Sequence, residues 1–151
     1  MKIAVATDHG GFPLKQTVIA TIKSLNHEVL DFGANSDAPV DFPDYVEKAC
    51  KAVQEKKADR AIVMCGSGVG ACIAANKMKG IYAAICHDVY SAHQGVEHDQ
   101  MNTLCLGGRI VGTELAADLV KAFLAADYFD GEKYVRRFNK IKVLENTQFS
   151  D

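Results

Sequence analysis

An α/β fold, a parallel sheet covered by helices, is what this sequence predicts, and three observations point to it. Short β-like runs alternate with helical ones along the chain, the order expected of successive βαβ units. Several of the β-like runs are almost continuously apolar, as strands buried on both faces are. Polar turns follow these runs at their carboxyl ends, where open α/β sheets keep their ligand crevice.

The elements follow in order. Residues 2–7 read as the first strand and run into Asp8-His9-Gly10-Gly11. Leu14, Val18, Ile22 and Leu25 then line one stripe of a helix. Residues 28–32 give a second strand, and 33–43, rich in Ser, Asp, Asn and Pro, a loop leading into a helix. On that helix Val46, Ala49, Cys50 and Val53 recur at i, i+3, i+4 and i+7. Strand 60–65 enters Cys65-Gly66-Ser67-Gly68-Val69-Gly70, and a helix continues through Ala71, Ile73, Ala74 and Ala75. Residues 81–86 lead to His87-Asp88 and a helix from Val89 to Glu97, and 103–106 lead to Gly107-Gly108-Arg109. Leu115, Leu119 and Phe123, with Val120 and Leu124 beside them, mark the next helix. After the Asp130-Gly131 turn, residues 132–145 place Tyr134, Phe138, Ile141 and Leu144 near helical spacing. This last helix can pack on its own domain or reach a partner subunit.

The 151 residues support one domain, taken as 1–151, with a single core. No apolar run approaches the ~18 residues of a membrane span, and the N-terminus enters strand-like sequence without a secretion signal. A cytoplasmic location is expected. Net charge is −2, from 17 basic and 19 acidic residues, so nothing calls for nucleic acid or an anionic membrane. An odd number of cysteines, Cys50, Cys65, Cys72, Cys86 and Cys105, suits free thiols in a reducing compartment. Cys50, Cys86 and Cys105 lie in apolar surroundings and read as small core residues.

The turn Cys65 to Gly70 joins a buried strand to a helix. Its glycines let backbone amides approach a ligand, and the helix N-terminus favours negative charge, which suits a phosphate, a carboxylate or an enediolate oxygen. Cys65 at the mouth of that field is expected to have a lowered thiol pKa. A Walker A loop requires Lys-Ser or Lys-Thr after the last glycine, absent after Gly70. A low-molecular-weight tyrosine phosphatase loop requires an arginine where this chain has Ala71. A dinucleotide fingerprint is partly met by Gly66, Gly68 and Gly70, with Asp88 at a later strand end, so a nucleotide-binding alternative stays open. His98 falls near a helix C-terminus, whose dipole favours the imidazolium. Lys133 and Arg137 share a helix face at i, i+4 spacing and suit a phosphate. His9, His87, His93 and His98 lack metal-ligand spacing, and no metal is expected.

Taken together these segments resemble the ribose/galactose sugar-phosphate isomerase family, most closely its type B ribose-5-phosphate branch. The match comprises Ile3-Ala4, Asp8-His9-Gly10-Gly11-Phe12, Leu14-Lys15, Val40-Asp41-Phe42-Pro43-Asp44-Tyr45, Cys65-Gly66-Ser67-Gly68-Val69-Gly70, Ile73-Ala74-Ala75-Asn76-Lys77, Glu97-His98-Asp99 with Asn102, and Leu106-Gly107-Gly108-Arg109. The resemblance implies a three-layer Rossmann-like domain with a five-stranded parallel sheet and an extra C-terminal helix. It implies an aldose–ketose isomerase of carbohydrate metabolism interconverting ribose 5-phosphate and ribulose 5-phosphate, without a cofactor. It also implies a homodimer or homotetramer whose active sites are shared between subunits. By the resemblance Cys65 is the base, Ser67 and the amides of Gly66, Gly68 and Gly70 stabilise the enediolate, and His98 of a neighbouring subunit assists ring opening. Asp8 and Asp99 join the substrate-binding residues, with Asp8 on the sugar hydroxyls, while His9, Arg109, Lys133 and Arg137 hold the phosphate. Phe42, Asp99 and Lys133 depart from the usual Tyr, Asn and Arg. Lys133 loses bidentate geometry, and Asp99 would raise the His98 pKa if its carboxylate faced the ring. Galactose 6-phosphate, allose 6-phosphate and a tetrose phosphate are the alternative substrates. A non-catalytic nucleotide- or phosphosugar-binding module is the alternative function.

Overall fold

The computed structural model describes residues 1–148. The chain runs β1 (Lys2–Thr7), α1 (Phe12–Ser24), β2 (Glu28–Asp31), α2 (Phe42–Gln54), β3 (Arg60–Cys65) and α3 (Val69–Ala75). It continues through β4 (Ala83–Ile85), α4 (Val89–Asp99), β5 (Thr103–Gly107), α5 (Thr113–Ala125) and α6 (Glu132–Gln148). The strands form one all-parallel sheet in the order β2-β1-β3-β5-β4.

Alternation along the central strands explains the layering, because successive side chains point to opposite faces. Ile3, Val5, Ile62, Met64, Leu104 and Leu106 enter one core, with α1, α4 and α5 packed over them. Ala4, Ala6, Ala61, Val63, Cys65 and Cys105 enter the other, beneath α2 and α3. The three-layer Rossmann-like arrangement with its extra C-terminal helix is therefore the predicted one. Among the described residues no helix is long and apolar enough to cross a membrane.

Element ends differ from expectation where side chains replace ladder partners. The fourth strand is shorter than 81–86 because the Ile81 N–H turns back to Met78 and the Tyr82 N–H donates to Asn102 Oδ1. Cys86 accordingly lies just past β4, though still buried. α4 extends to Asp99, which puts His98 inside its last turn. Leu115 is 37% exposed and leaves the α5 stripe to Leu119, Val120, Phe123 and Leu124. On α6 Phe138 is buried against its own chain, edge-on to Tyr82, and Glu145 accepts from the Gly80 N–H and the Tyr82 hydroxyl. Ile141 and Leu144 stay exposed, so this helix packs on its own chain through Phe138 and the half-buried Tyr134 of its apolar stripe.

α1 carries a buried cation that fixes the approach to the sheet's carboxyl end. Lys15 Nζ pairs with Asp31 at 2.9 Å and donates to the Ala34 carbonyl at 2.7 Å and to Asn35 Oδ1 at 2.9 Å. The segment it holds bonds in turn to Thr7, through Thr7 N–H to Gly33 and Ala34 N–H to Thr7. Lys15→Met strands three acceptors. Because the Asp31 side chain is 37% exposed, the loss should fall below that of a fully buried pair, at about 2–3 kcal/mol. Urea unfolding measures it.

Candidate active site

Strand register decides what meets at the carboxyl end of the sheet. Thr7 stands opposite Met64 across β1 and β3, and Cys65 opposite Gly107 across β3 and β5. The turns that follow these strands therefore emerge side by side, at the point where strand order reverses. Backbone bonds lace them together: Asp8 N–H to the Met64 carbonyl at 3.2 Å, Gly108 N–H to Cys65 at 2.8 Å, and Arg109 N–H to Gly66 at 2.9 Å. The approach is so close that a Cβ on Gly108 would stand 2.3 Å from the Gly10 carbonyl oxygen.

These turns enclose a cleft of about 350 Å³ lined by Asp8, Phe42, Cys65, Gly66, Ser67, Gly70, Arg109 and Ile110. Cys65 is 4% exposed, so its sulfur belongs to the cleft wall and to the small-residue core at once. Gly68 adopts φ +81°, open to glycine without strain, and its N–H donates to Cys65 Sγ at 3.1 Å. A donor aimed at sulfur is one that a thiolate accepts. α3 has only seven residues, and among the described residues the Gly68 amide is the backbone donor that reaches the sulfur.

Asp8 is 7% exposed, and its Oδ1 accepts from Gly10 N–H at 2.8 Å and Gly11 N–H at 3.0 Å. Oδ2 is the oxygen left for a ligand. The Arg109 guanidinium lies over Gly66, where an added Cβ would meet Cζ at 3.5 Å. It has no acidic partner among the described residues, which leaves its planar fork for an oxyanion. Ser67 Oγ accepts from Val69 N–H at 3.2 Å on the exposed rim. Phe42 packs against Gly70, whose Cβ would fall 2.7 Å from the ring. His9 is half-buried beside Asp8, its Nδ1 accepting from Val40 N–H at 3.2 Å.

His98, Asp99, Lys133 and Arg137 do not line this cleft. They lie on α4 and α6. The His98 ring stacks on Tyr134, centroids 4.2 Å apart and planes at 23°, and Lys133 Nζ sits 4.7 Å over the same Tyr134 ring. Gln94 Nε2 lies 2.7 Å from His98 Nδ1. With the Gln94 amide nitrogen donating, Nδ1 accepts and Nε2 carries the hydrogen, which makes Nε2 the ring's hydrogen-bond donor. The carboxylate near the imidazole is Glu97, at 3.8 Å from Nε2, rather than Asp99. Asp99 instead borders a groove with Asn76, Tyr82 and Met101. Arg137 is exposed. Neither it nor Lys133 forms an ion pair among the described residues.

Asp88 caps α4: Oδ1 accepts from Ser91 N–H at 2.7 Å and Oδ2 from Ser91 Oγ at 2.8 Å, which lowers its pKa from the ordinary carboxylate value. It follows the edge strand β4, separated from β3 by β5. The acid of the suggested dinucleotide fingerprint is thus occupied and distant from the glycine turn. Ile110 and Tyr134 were missed by the sequence reading. Ile110 continues the Gly107-Gly108-Arg109 turn, a signal that was present; the aromatic spacing of Tyr134 reads equally as core.

Comparison with known proteins agrees with this geometry. Residues 3–141 match the family model described as Ribose/Galactose Isomerase. Ribose-5-phosphate isomerase B of Escherichia coli is 40% identical over 144 residues, covering 95% of this chain and 96% of that protein. D-erythrulose-4-phosphate isomerase of Pectobacterium atrosepticum is 33% identical, covering 98% and 97% respectively. Among solved structures, ribose-5-phosphate isomerase B of Clostridium thermocellum superposes with a TM-score of 0.93 at 42% identity, over 98% of this chain and 99% of that one. With the family pattern spanning nearly the whole chain, this protein is an isomerase and belongs to the ribose/galactose isomerase family.

Proposed function

We propose that the chain interconverts ribose 5-phosphate and ribulose 5-phosphate, with Cys65 as the base. The observation that supports this most directly is the Cys65 sulfur on the cleft wall, facing the Gly68 amide and flanked by Asp8 and Arg109. In the forward direction the Cys65 thiolate removes the C2 proton of the open-chain aldose. The electron pair moves onto the carbonyl oxygen to give a cis-enediolate, the O2 hydroxyl proton passes to O1, and the thiol returns its proton to C1 as O2 becomes the ketone oxygen. A hydrogen moves between neighbouring carbons of one molecule, so the reaction balances without an external oxidant, and no cofactor enters the scheme.

The developing oxyanion needs fixed donors, and the Gly66, Gly68 and Gly70 amides with the Ser67 hydroxyl are candidates for that role. Asp8 Oδ2 accepts from the sugar hydroxyls. Arg109, with His9, Lys133 and Arg137, takes the phosphate, whose binding energy holds the reacting carbons over the base. His98 donates from Nε2 to the ring oxygen as the furanose opens, and Asp99 stands next to it. Because His98, Lys133 and Arg137 lie outside the cleft of their own chain, the scheme requires a neighbouring copy. We therefore read the active unit as a homodimer or a homotetramer, in the cytoplasm.

A panel of four-, five- and six-carbon aldose phosphates tests the substrate. The expected result is the highest kcat/KM on ribose 5-phosphate. Preference for a tetrose phosphate, the substrate size named for the Pectobacterium relative, would reassign it. Binding of NAD or ATP without turnover of any sugar phosphate would overturn the enzymatic scheme.

A further inference from the structure

The imidazole assigned to ring opening is held by contacts that the cleft itself does not supply. The His98 side chain is 27% exposed, so core packing alone does not fix its ring. Gln94 Nε2, one turn earlier on α4, stands 2.7 Å from Nδ1. A contact at one ring atom fixes that edge and leaves the plane free to tilt. The tilt matters because a carboxylate is close to the other ring nitrogen. Glu97 Oε2 is 3.8 Å from Nε2, beyond hydrogen-bond distance, and 3.6 Å from His93 Nδ1. A small rotation toward Glu97 would occupy the nitrogen meant for the substrate.

Tyr134 supplies the missing constraint. Its ring stacks on the imidazole with 4.2 Å between centroids and 23° between planes. Stacking engages the ring faces and leaves the Nε2 edge uncovered. The tyrosine ring is fixed in turn by the segment that precedes α6. The Phe129 N–H donates to the Glu97 carbonyl at 2.8 Å, which ties that segment to the last turn of α4. The Phe129 ring meets Tyr134 edge-on, centroids 5.4 Å apart and planes at 72°. It fits because Gly131 has no Cβ, which would stand 2.6 Å from Phe129 Cε1. The Tyr134 N–H then donates to the Gly131 carbonyl at 2.9 Å as α6 begins. Its contacts with His98, Phe129 and Lys133 Nζ are all made by the aromatic ring.

We propose that Tyr134 is a positioning residue for the isomerase reaction, whose stacked ring holds the His98 plane so that Nε2 stays off Glu97 and open to the sugar ring oxygen. It touches no reacting atom. His98 and Tyr134 belong to one chain, so in the shared-site scheme they enter the neighbouring cleft as a unit. The effect on turnover rests on the ring-opening role read for His98; the stack itself does not.

The test compares Tyr134→Leu with Tyr134→Phe in the full chain, by turnover of ribose 5-phosphate and by proton NMR of the histidines. His98 resonances are assigned by their loss in His98→Asn. In the wild-type chain and in Tyr134→Phe, the carbon-bound protons of the His98 ring should lie upfield, shielded by the aromatic face beside them. In Tyr134→Leu they should move downfield to the position of an unstacked histidine. The kcat of Tyr134→Leu should fall about 10–100-fold, the cost of misplacing a reacting group, and Tyr134→Phe should restore it. A double-mutant cycle identifies the route. In the His98→Asn background Tyr134→Leu should cost less than about twofold, because the group it positions is already gone.

An equal loss in both backgrounds places the effect at Lys133 or in the fold and overturns the role. A loss in Tyr134→Phe as large as in Tyr134→Leu assigns the hydroxyl to the substrate and also overturns it. So does an unchanged kcat in Tyr134→Leu whose His98 protons have moved. Should Tyr134→Leu fail to fold, Phe129→Ala loosens the same stack from its other side, with the same expectations at smaller amplitude. Unshifted His98 protons in the wild-type chain remove the geometry altogether. Upfield His98 protons in a chain that turns over no ribose 5-phosphate leave the stack standing and remove the ribose 5-phosphate reading.

Discussion

Replacing Cys65 with alanine is expected to lower kcat on ribose 5-phosphate by about 10²–10⁴-fold, the contribution typical of a positioned general base. The fold should survive. Cys65 sits among Ala4, Ala6, Ala61 and Val63, and alanine differs from it by one atom in a core already built of small side chains. The Gly68 N–H loses its acceptor, a change confined to the turn. Circular dichroism and urea unfolding should therefore match the wild-type chain while turnover collapses. Serine at the same position keeps a polar atom near Gly68 but supplies a far weaker base, so it should resemble alanine. Near wild-type kcat in a properly folded Cys65→Ala chain would assign the proton transfer to another group.

The second large effect is one of complementation. His98→Asn keeps a planar polar side chain on the last turn of α4 but removes the Nε2–H group. Its kcat should drop by about 10²-fold or more, within the range for general acid catalysis. Each variant alone is then nearly inactive. If sites are shared, unfolding and refolding the two together yields mixed assemblies in which one site has an intact cysteine facing an intact histidine, and activity reappears. Mixtures that stay as inactive as their components would place both residues at one site within each chain, contrary to the scheme. A two-subunit origin also predicts that the recovered activity depends on the mixing ratio and peaks at intermediate values.

The two residues differ in how legible their surroundings were. Cys65 ends a strand and begins a glycine turn, so local sequence was enough to place it at the carboxyl edge of a parallel sheet. Asp8 and Arg109 share that property, because each follows a strand directly. Register then did the rest, with Thr7 opposite Met64 and Cys65 opposite Gly107. His98 belongs to a helix face, and a face has meaning only through what packs on it. Its stacking on Tyr134 joins α6 to α4 across more than thirty residues of chain, and no local pattern encodes that distance, whereas Gln94 is an i, i+4 neighbour on α4 itself. Glu97 and Asp99 flank His98 equally in sequence, yet it is the Glu97 carboxylate that lies near the ring.

By itself the sequence determined the order of strands and helices, which faces were apolar and which turns were rich in glycine, because those follow from periodicity and backbone freedom over a few residues. It also determined that a cysteine would stand at the mouth of one such turn. Only the tertiary structure decided that β1, β3 and β5 would be neighbours, that the Gly68 amide would face the Cys65 sulfur, and that Asp88 would cap a helix at the far edge. Such pairings depend on the register and spacing of elements remote in the chain, set by the volumes of side chains packed between them rather than by any residue's own neighbours.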